Sequence, residues 1–212
     1  MTQEAIPITE EVVLRGDVNT HVRLINLNRP RQLNVISPWY VSLLSESLEQ
    51  WEKDDNVELV IFKGNGRAYS AGGDLKVFYD GRDSSNDDAC LEVVHRMYWL
   101  CYHNHTYKKT QVLLYCPPGG SCSWILNGRR CITNGPIEVL SSHRRNGARL
   151  NGKELVSVGL ATHYVPSEKL PELEKCLIDL NSREEHAVKS VIEEFSLDCF
   201  SKESVEEIFE SL

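Results

Sequence analysis

The run Lys63-Gly64-Asn65-Gly66-Arg67-Ala68-Tyr69-Ser70-Ala71-Gly72-Gly73-Asp74-Leu75-Lys76 is where this sequence could do chemistry. Four glycines between positions 64 and 73 mark backbone that must pass close to something. The small-residue turn Ser70-Ala71-Gly72-Gly73, set between a strand and a helix, points backbone N–H groups at whatever occupies it. Such groups stabilise an oxyanion or a phosphate without a charged side chain. The spacing is equally compatible with a plain strand-to-helix turn. A dinucleotide fingerprint is excluded, because the third glycine it needs would stand at Tyr69. A phosphate loop is excluded too, because no Gly-Lys-Ser/Thr follows.

The elements around that turn are legible. Val57 to Phe62 reads as a buried strand leading into it, and Asp74 to Tyr79 can begin a helix. Upstream, Val12 to Arg15 and Val22 to Leu27 alternate like strands, and Gly16-Asp17-Val18-Asn19 can join them as a hairpin. Ser37 and Pro38 predict a helix N-cap and first turn. Tyr40, Leu43, Leu44, Leu48 and Trp51 share one face of that helix, which breaks at Asp54-Asp55-Asn56. The first 76 residues therefore read ββαβ-loop-α, an α/β (α+β) pattern. Asp80 to Asp88 reads as a solvated acidic loop without calcium-loop spacing. A helix over about 89–107 follows, with Leu91, Val94, Tyr98 and Cys101 as its stripe, and then a strand over Gln111–Tyr115. Its His95, His103 and His105 form no clean ligand pair with a carboxylate. From Cys116 to Gly147 periodicity disappears, and low order is expected. Beyond it, a short helix from Lys153, a strand over Ala161–Val165, and a helix capped by Ser167 with Leu170, Leu173, Leu177 and Leu180 are expected. Helices over Glu184–Phe195 and Ser201–Leu212 follow, the latter with a capping box at Ser204 and Glu207. The expected division is a core over 1–165 and a C-terminal helical segment over 166–212.

Composition narrows the classes. The 212 residues, 41% hydrophobic, suffice for one domain with a real core. A net charge of −8 argues against nucleic acid as the main partner. No apolar run is long enough to span a membrane. Seven cysteines without framework spacing suggest reduced thiols and an intracellular setting. Cys116, Cys122 and Cys131 match no common zinc spacing, so no metal is expected. Met1 to Glu11 reads as neither a secretory signal nor a transit peptide, and Glu210-Ser211-Leu212 lacks the Ser-Lys-Leu peroxisomal pattern.

Taken together, Leu27-Asn28-Arg29-Pro30-Arg31-Gln32-Leu33-Asn34 and Gly66-Arg67-Ala68-Tyr69-Ser70-Ala71-Gly72-Gly73-Asp74-Leu75 resemble the crotonase (enoyl-CoA hydratase/isomerase) superfamily. Arg96-Met97-Tyr98-Trp99-Leu100, Gly147-Ala148-Arg149-Leu150-Asn151-Gly152-Lys153 and Ala161-Thr162-His163-Tyr164-Val165 narrow the resemblance to the 3-hydroxyisobutyryl-CoA hydrolase branch, peroxisomal type. It covers about 12–115 and 147–212. It implies a ββα spiral with C-terminal helices, oligomeric assembly, and hydrolysis of an acyl-CoA thioester in valine catabolism. No metal or redox cofactor is implied; coenzyme A comes as part of the substrate. The thioester carbonyl would sit in an oxyanion hole with one N–H from Ser70, Ala71, Gly72 or Gly73. Arg31 and Gln32 match the place where the chain passes the CoA nucleotide, and Asp74 and Leu75 match the wall beside the adenine. The implied compartment is peroxisomal, with the cytoplasm as the alternative.

The resemblance breaks at Cys116–Gly147, where the family places its second oxyanion donor and two carboxylates. Gly119-Gly120 echoes the Gly-rich turn, and Pro136-Ile137-Glu138 echoes a Pro-Glu pair, making Glu138 the local catalytic candidate. A second join falls at Phe195–Phe200, and relative to the resemblance the family's closing helices are missing after Leu212. These breaks suggest a truncated or alternatively spliced form, with 116–146 out of the family's frame. Three readings follow: an acyl-CoA hydrolase, an inactive relative that binds CoA or full-length subunits, and an enoyl-CoA hydratase/isomerase-type enzyme.

Overall fold

In a computed structural model the described residues are 13–17, 21–66, 69–74, 79, 87–115, 131–133, 137–139, 148–150, 152–157, 161–180 and 184–197. Strands β1 (Val13–Asp17) and β2 (Val22–Leu27) pair antiparallel, Val13 opposite Leu27; Gly16 and Asp17, expected in the turn, instead extend β1 opposite Leu24 and Arg23. Strands β3 (Leu59–Gly64) and β4 (Thr110–Tyr115) extend the sheet in parallel, with Leu27 opposite Gly64. Two short strands, β5 (Cys131–Thr133) and β8 (His163–Tyr164), complete a six-stranded sheet in the order β1-β2-β3-β4-β5-β8. Strands β6 (Ile137–Val139) and β7 (Ala148–Leu150) form a separate antiparallel pair.

Strands β2, β3 and β4 are covered on both faces, and β3 is continuously apolar from Leu59 to Phe62. Alternate residues serve two cores. Ile25, Leu27, Val60, Phe62 and Leu113 face one side, with Tyr40, Leu44 and Leu48 of helix α1 (Pro38–Lys53) and Leu100 of helix α2 (Asp87–Thr106). Val22, Leu59, Ile61, Val112 and Leu114 face the other, with Leu170, Leu173 and Leu177 of helix α4 (Leu170–Asp179) and Val188 and Ile192 of helix α5 (Glu185–Phe195). Helix α3 (Gly152–Ser157) precedes β8.

Helix α1 begins as its sequence dictates. Ser37 Oγ accepts from the Tyr40 N–H at 3.3 Å, and Pro38 occupies the first turn. Two expectations are corrected. The stripe expected on α2 is not its buried face: Leu91 is 65% and Tyr98 56% exposed, while Val94 and Cys101 are half-buried. The buried face is instead Leu100 and Asn104, with Met97 packed against the core. Asn104 is tolerated there because its Oδ1 accepts from Gln111 Nε2 at 3.3 Å, and that polar residue hid the face from an apolar pattern. Ser167 does not cap α4: it opens a 3-10 turn, Ser167–Lys169, and the helix begins at Leu170. Of the three histidines, His95 and His105 are exposed, while His103 packs edge-on to Trp99 and lies 3.4 Å from Glu52. The acidic loop before Asp87, the expected helix over 201–212 and its Ser204–Glu207 box lie outside the described residues. Within 116–147 the described residues are the short strands β5 and β6.

Candidate functional site

Two loops leave the carboxyl ends of the neighbouring parallel strands β2 and β3 and run side by side. This is where open parallel sheets bind ligands. The first, residues 28–36, contains the 3-10 turn Pro30–Gln32 and two left-handed residues, Leu33 and Asn34, each with φ 53°. The second, residues 65–74, is described except for Arg67 and Ala68.

Hydrogen bonds lock one loop to the other. The Asn65 N–H donates to Leu27 O at 2.8 Å, and the Ala71 N–H donates to Leu33 O at 2.8 Å. The Ile36 N–H donates to Gly72 O at 2.8 Å, and the Asp74 N–H donates to Ile36 O at 3.0 Å, making an isolated parallel bridge between Ile36 and Gly73. Ser70 is buried; its hydroxyl donates to Asn34 O at 2.8 Å and accepts the Gly72 N–H at 3.2 Å. The Gly72 backbone turns at φ +92°, a conformation that favours glycine.

Amide accounting then singles out one group. The N–H groups of Ala71, Gly72 and Asp74 are engaged. Among the described residues, those of Ser70 and Gly73 have no hydrogen-bond partner. Ser70 is buried, whereas Gly73 is partly exposed, so within the turn 70–74 Gly73 carries the unengaged N–H that lies on a partly exposed residue. An uncharged, fixed N–H of this kind can polarise a carbonyl oxygen that gains negative charge.

The other sequence candidates divide. Arg31 and Gln32 are exposed in the 3-10 turn beside this loop; a Cβ on Gly66 would stand 2.7 Å from Pro30 Cβ. The bonds above tie Ser70, Ala71, Gly72 and Asp74 to Leu33, Asn34 and Ile36 of the same loop that carries Arg31 and Gln32, and Gly73 lies among them. Leu75 lies outside the described residues. Glu138 sits in β6 opposite Arg149 of β7, off the six-stranded sheet. Among the described residues no cluster of three His, Cys, Asp or Glu side chains could hold a metal ion, and no helix is long and apolar enough to cross a membrane.

Asn34 was missed as a site residue. It is 1% exposed; its Oδ1 accepts the Arg29 N–H at 2.7 Å and its Nδ2 donates to Asn65 O at 2.9 Å. The available signal was an asparagine, tolerant of left-handed backbone, between two strands.

Comparison with known proteins places this geometry in context. The profile of the enoyl-CoA hydratase/isomerase family (ECH_2) matches residues 22–115 and 145–212. The 3-hydroxyisobutyryl-CoA hydrolase-like protein 5 of Arabidopsis thaliana is 47% identical over 256 residues, an alignment covering 100% of this chain and 65% of that protein. The chain therefore spans less than two thirds of that relative's length. The alignment is longer than the chain's 212 residues, so the relative carries internal sequence that this chain lacks. The 3-hydroxyisobutyryl-CoA hydrolase 1 of the same plant is 30% identical, covering 98% of this chain and 67% of that protein. The human mitochondrial 3-hydroxyisobutyryl-CoA hydrolase is 27% identical, covering 96% and 64%. Among solved structures, a carnitinyl-CoA dehydratase from Mycobacterium thermoresistibile superposes with a TM-score of 0.78 at 22% identity, covering 95% of this chain and 66% of that one. That likeness carries the fold alone, and it agrees with the ββα arrangement expected from sequence.

Proposed function

The chain belongs to the enoyl-CoA hydratase/isomerase family, and from that premise we propose that it binds an acyl-CoA and acts as a 3-hydroxyisobutyryl-CoA hydrolase-like thioester hydrolase. The observation that carries the proposal is Gly73 N–H, an unengaged amide on a partly exposed residue whose neighbours Ala71, Gly72 and Asp74 have theirs committed. Gly73 N–H is the first donor to the thioester oxygen; Ser70, Ala71 and Gly72 shape the turn that aims it. Arg31 and Gln32 pass the CoA nucleotide, and Asp74 and Leu75 border the adenine. The names of the similar Arabidopsis proteins favour hydrolysis over hydration.

Hydrolysis also needs a carboxylate within reach of water and thioester. Glu138 is the candidate, acting as general base while the thiolate of CoA leaves. No metal or redox cofactor is required by this chemistry. A role in valine catabolism follows from the acyl group. Residence inside the cell is part of the reading. Relatives whose names print an address are mitochondrial, so peroxisome, mitochondrion and cytoplasm are the outcomes a localisation experiment separates. Association of several copies is likewise part of the reading.

A second reading has its own support. The family match stops at Tyr115 and resumes at 145, spanning the place where the family puts its carboxylates. This favours a chain that binds CoA or full-length subunits without turnover, and a truncated or spliced origin for it. The test is hydrolysis of 3-hydroxyisobutyryl-CoA by the purified chain, followed by chromatography because seven thiols would react with a thiol dye. Turnover above buffer that falls at least tenfold in Glu138→Gln supports the hydrolase. Turnover unchanged by Glu138→Gln removes Glu138 from the mechanism. Binding without turnover supports the second reading.

A further inference from the structure

Resting on the oxyanion reading above, we propose that Asn34 and Ser70 are positioning residues that aim the Gly73 N–H without touching the substrate. Asn34 is 1% exposed and commits four groups. Its backbone N–H donates to Arg29 O at 2.9 Å, and its side chain bridges the Arg29 N–H and Asn65 O at 2.7 and 2.9 Å. Arg29 lies just past β2 and Asn65 just past β3, so one amide side chain ties together the two strand ends from which the site grows. Its backbone carbonyl then receives the Ser70 hydroxyl, and that hydroxyl accepts the Gly72 N–H.

The result is a continuous relay from the sheet to the residue before Gly73. Every member is neutral, so the relay adds no field that would weaken a donor to an anion. Every member is also already satisfied, so it need not rearrange when a ligand arrives. Serine at position 70 supplies one donor and one acceptor at a single atom, which this relay needs and alanine lacks. Without it, Gly72 N–H loses its acceptor and the φ +92° turn at Gly72 loses its strut. The amide plane that carries Gly73 N–H would then be held on this side only by the Ile36 N–H on Gly72 O at 2.8 Å, and would tilt about that bond. Misplacing a positioned group by about 1 Å can cost on the order of 100-fold in rate, while leaving contacts to the rest of the ligand intact.

The experiment uses the full chain, Ser70→Ala, Ser70→Thr and Asn34→Ala. The probe is isobutyryl-CoA carrying carbon-13 at the thioester carbonyl. Binding is measured by calorimetry, carbonyl polarisation by the downshift of the carbonyl stretch in difference infrared spectra, and the Gly72 and Gly73 amides by NMR hydrogen exchange. The expected result is a downshift in the wild type that shrinks in Ser70→Ala, returns in Ser70→Thr, and is accompanied by less than a threefold change in affinity. The Gly72 amide should exchange faster in Ser70→Ala, and where turnover is measurable kcat should fall at least tenfold with KM nearly constant. Should Asn34→Ala fail to fold, Ser70→Ala alone carries the test. An equal downshift in wild type and Ser70→Ala, with both bound, overturns the inference and leaves the function intact. No binding of the probe by the folded wild type overturns the acyl-CoA reading and the inference with it.

Discussion

Gly64 closes β3, and a methyl group placed on it would meet backbone, not movable side chains. An added Cβ would stand 2.9 Å from both Tyr69 Cα and Tyr69 O, and 3.2 Å from Asn34 Nδ2. Ordinary carbon contacts lie at about 3.5–4.0 Å, so the backbone at Tyr69 would have to retreat by roughly 0.6–1 Å. Tyr69 is fully buried and cannot simply swing aside. Overpacking of this kind costs about 1–3 kcal/mol. For Gly64→Ala we expect a loss of about 2 kcal/mol, or roughly 4–8 °C in Tm for a chain of this size. Urea unfolding followed by circular dichroism measures the first, and a thermal scan the second. Two companions separate space from backbone conformation. Gly72→Ala has nothing within 4 Å of its added Cβ but sits at φ +92°, so its cost of about 1–2 kcal/mol is conformational and leaves Tyr69 in place. Gly66→Ala combines φ +88° with a contact of 2.7 Å to Pro30 Cβ and should be the worst of the three. A Gly64→Ala protein within about 0.5 kcal/mol of wild type, with unmoved Tyr69 resonances, would refute the close approach between the end of β3 and the candidate oxyanion loop.

Two further outcomes probe the scaffold. Leu173 of α4 is fully buried against the second face of the sheet, so Leu173→Ala should lose about 2–5 kcal/mol in urea unfolding; a loss under about 1 kcal/mol would mean that α4 does not seal that face. Tyr107 donates its hydroxyl to Leu48 O at 3.1 Å, and burial, with the Glu52 carboxylate nearby, holds its phenol well above the usual tyrosine range. The folded state thus favours the neutral phenol, so its contribution is complete below the unfolded value near 10 and is lost as pH rises from there toward the folded value. The stability difference between wild type and Tyr107→Phe should therefore be flat from pH 7 to about 9.5 and shrink above about 10; a difference that grows with alkali would reverse the assignment.

What the sequence disclosed follows the strength of each physical signal. Helix α1 was legible because its cap, first-turn proline and apolar face agree. Strand β2 was legible from its alternation, and β3 because burial on both faces makes Leu59 to Phe62 a continuous apolar run. The buried face of α2 was not, because one of its members is Asn104, which is paid for by Gln111 at a distance no local pattern shows. The candidate site was legible as a loop but not as an atom. Small residues at 70–73 announce a turn; that Gly73 keeps its N–H free depends on Leu33 and Ile36, which take up the neighbouring amide and carbonyl groups from another loop. Glu138 stood out only by a Pro-Glu echo, and its strand belongs to a separate β-pair.

The position of the family match within the sheet separates binding from chemistry. Both loops of the candidate site leave strands that end before residue 65, and every bond that positions Gly73 lies between residues 27 and 74. The match is interrupted only after Tyr115, the last residue of β4. Past that point the sheet continues through strands of three and two residues. Short strands contribute few ladder bonds and little apolar surface, so they position side chains less firmly than β2, β3 and β4 do. An alteration confined to 116–144 can remove a second donor and a carboxylate while leaving the first donor and the turn at Arg31 and Gln32 intact. Under the proposed acyl-CoA function, thioester binding and carbonyl polarisation are therefore expected to persist in this chain even where hydrolysis does not. Turnover, by contrast, would require residues from the unmatched segment to reach the carboxyl ends of β2 and β3.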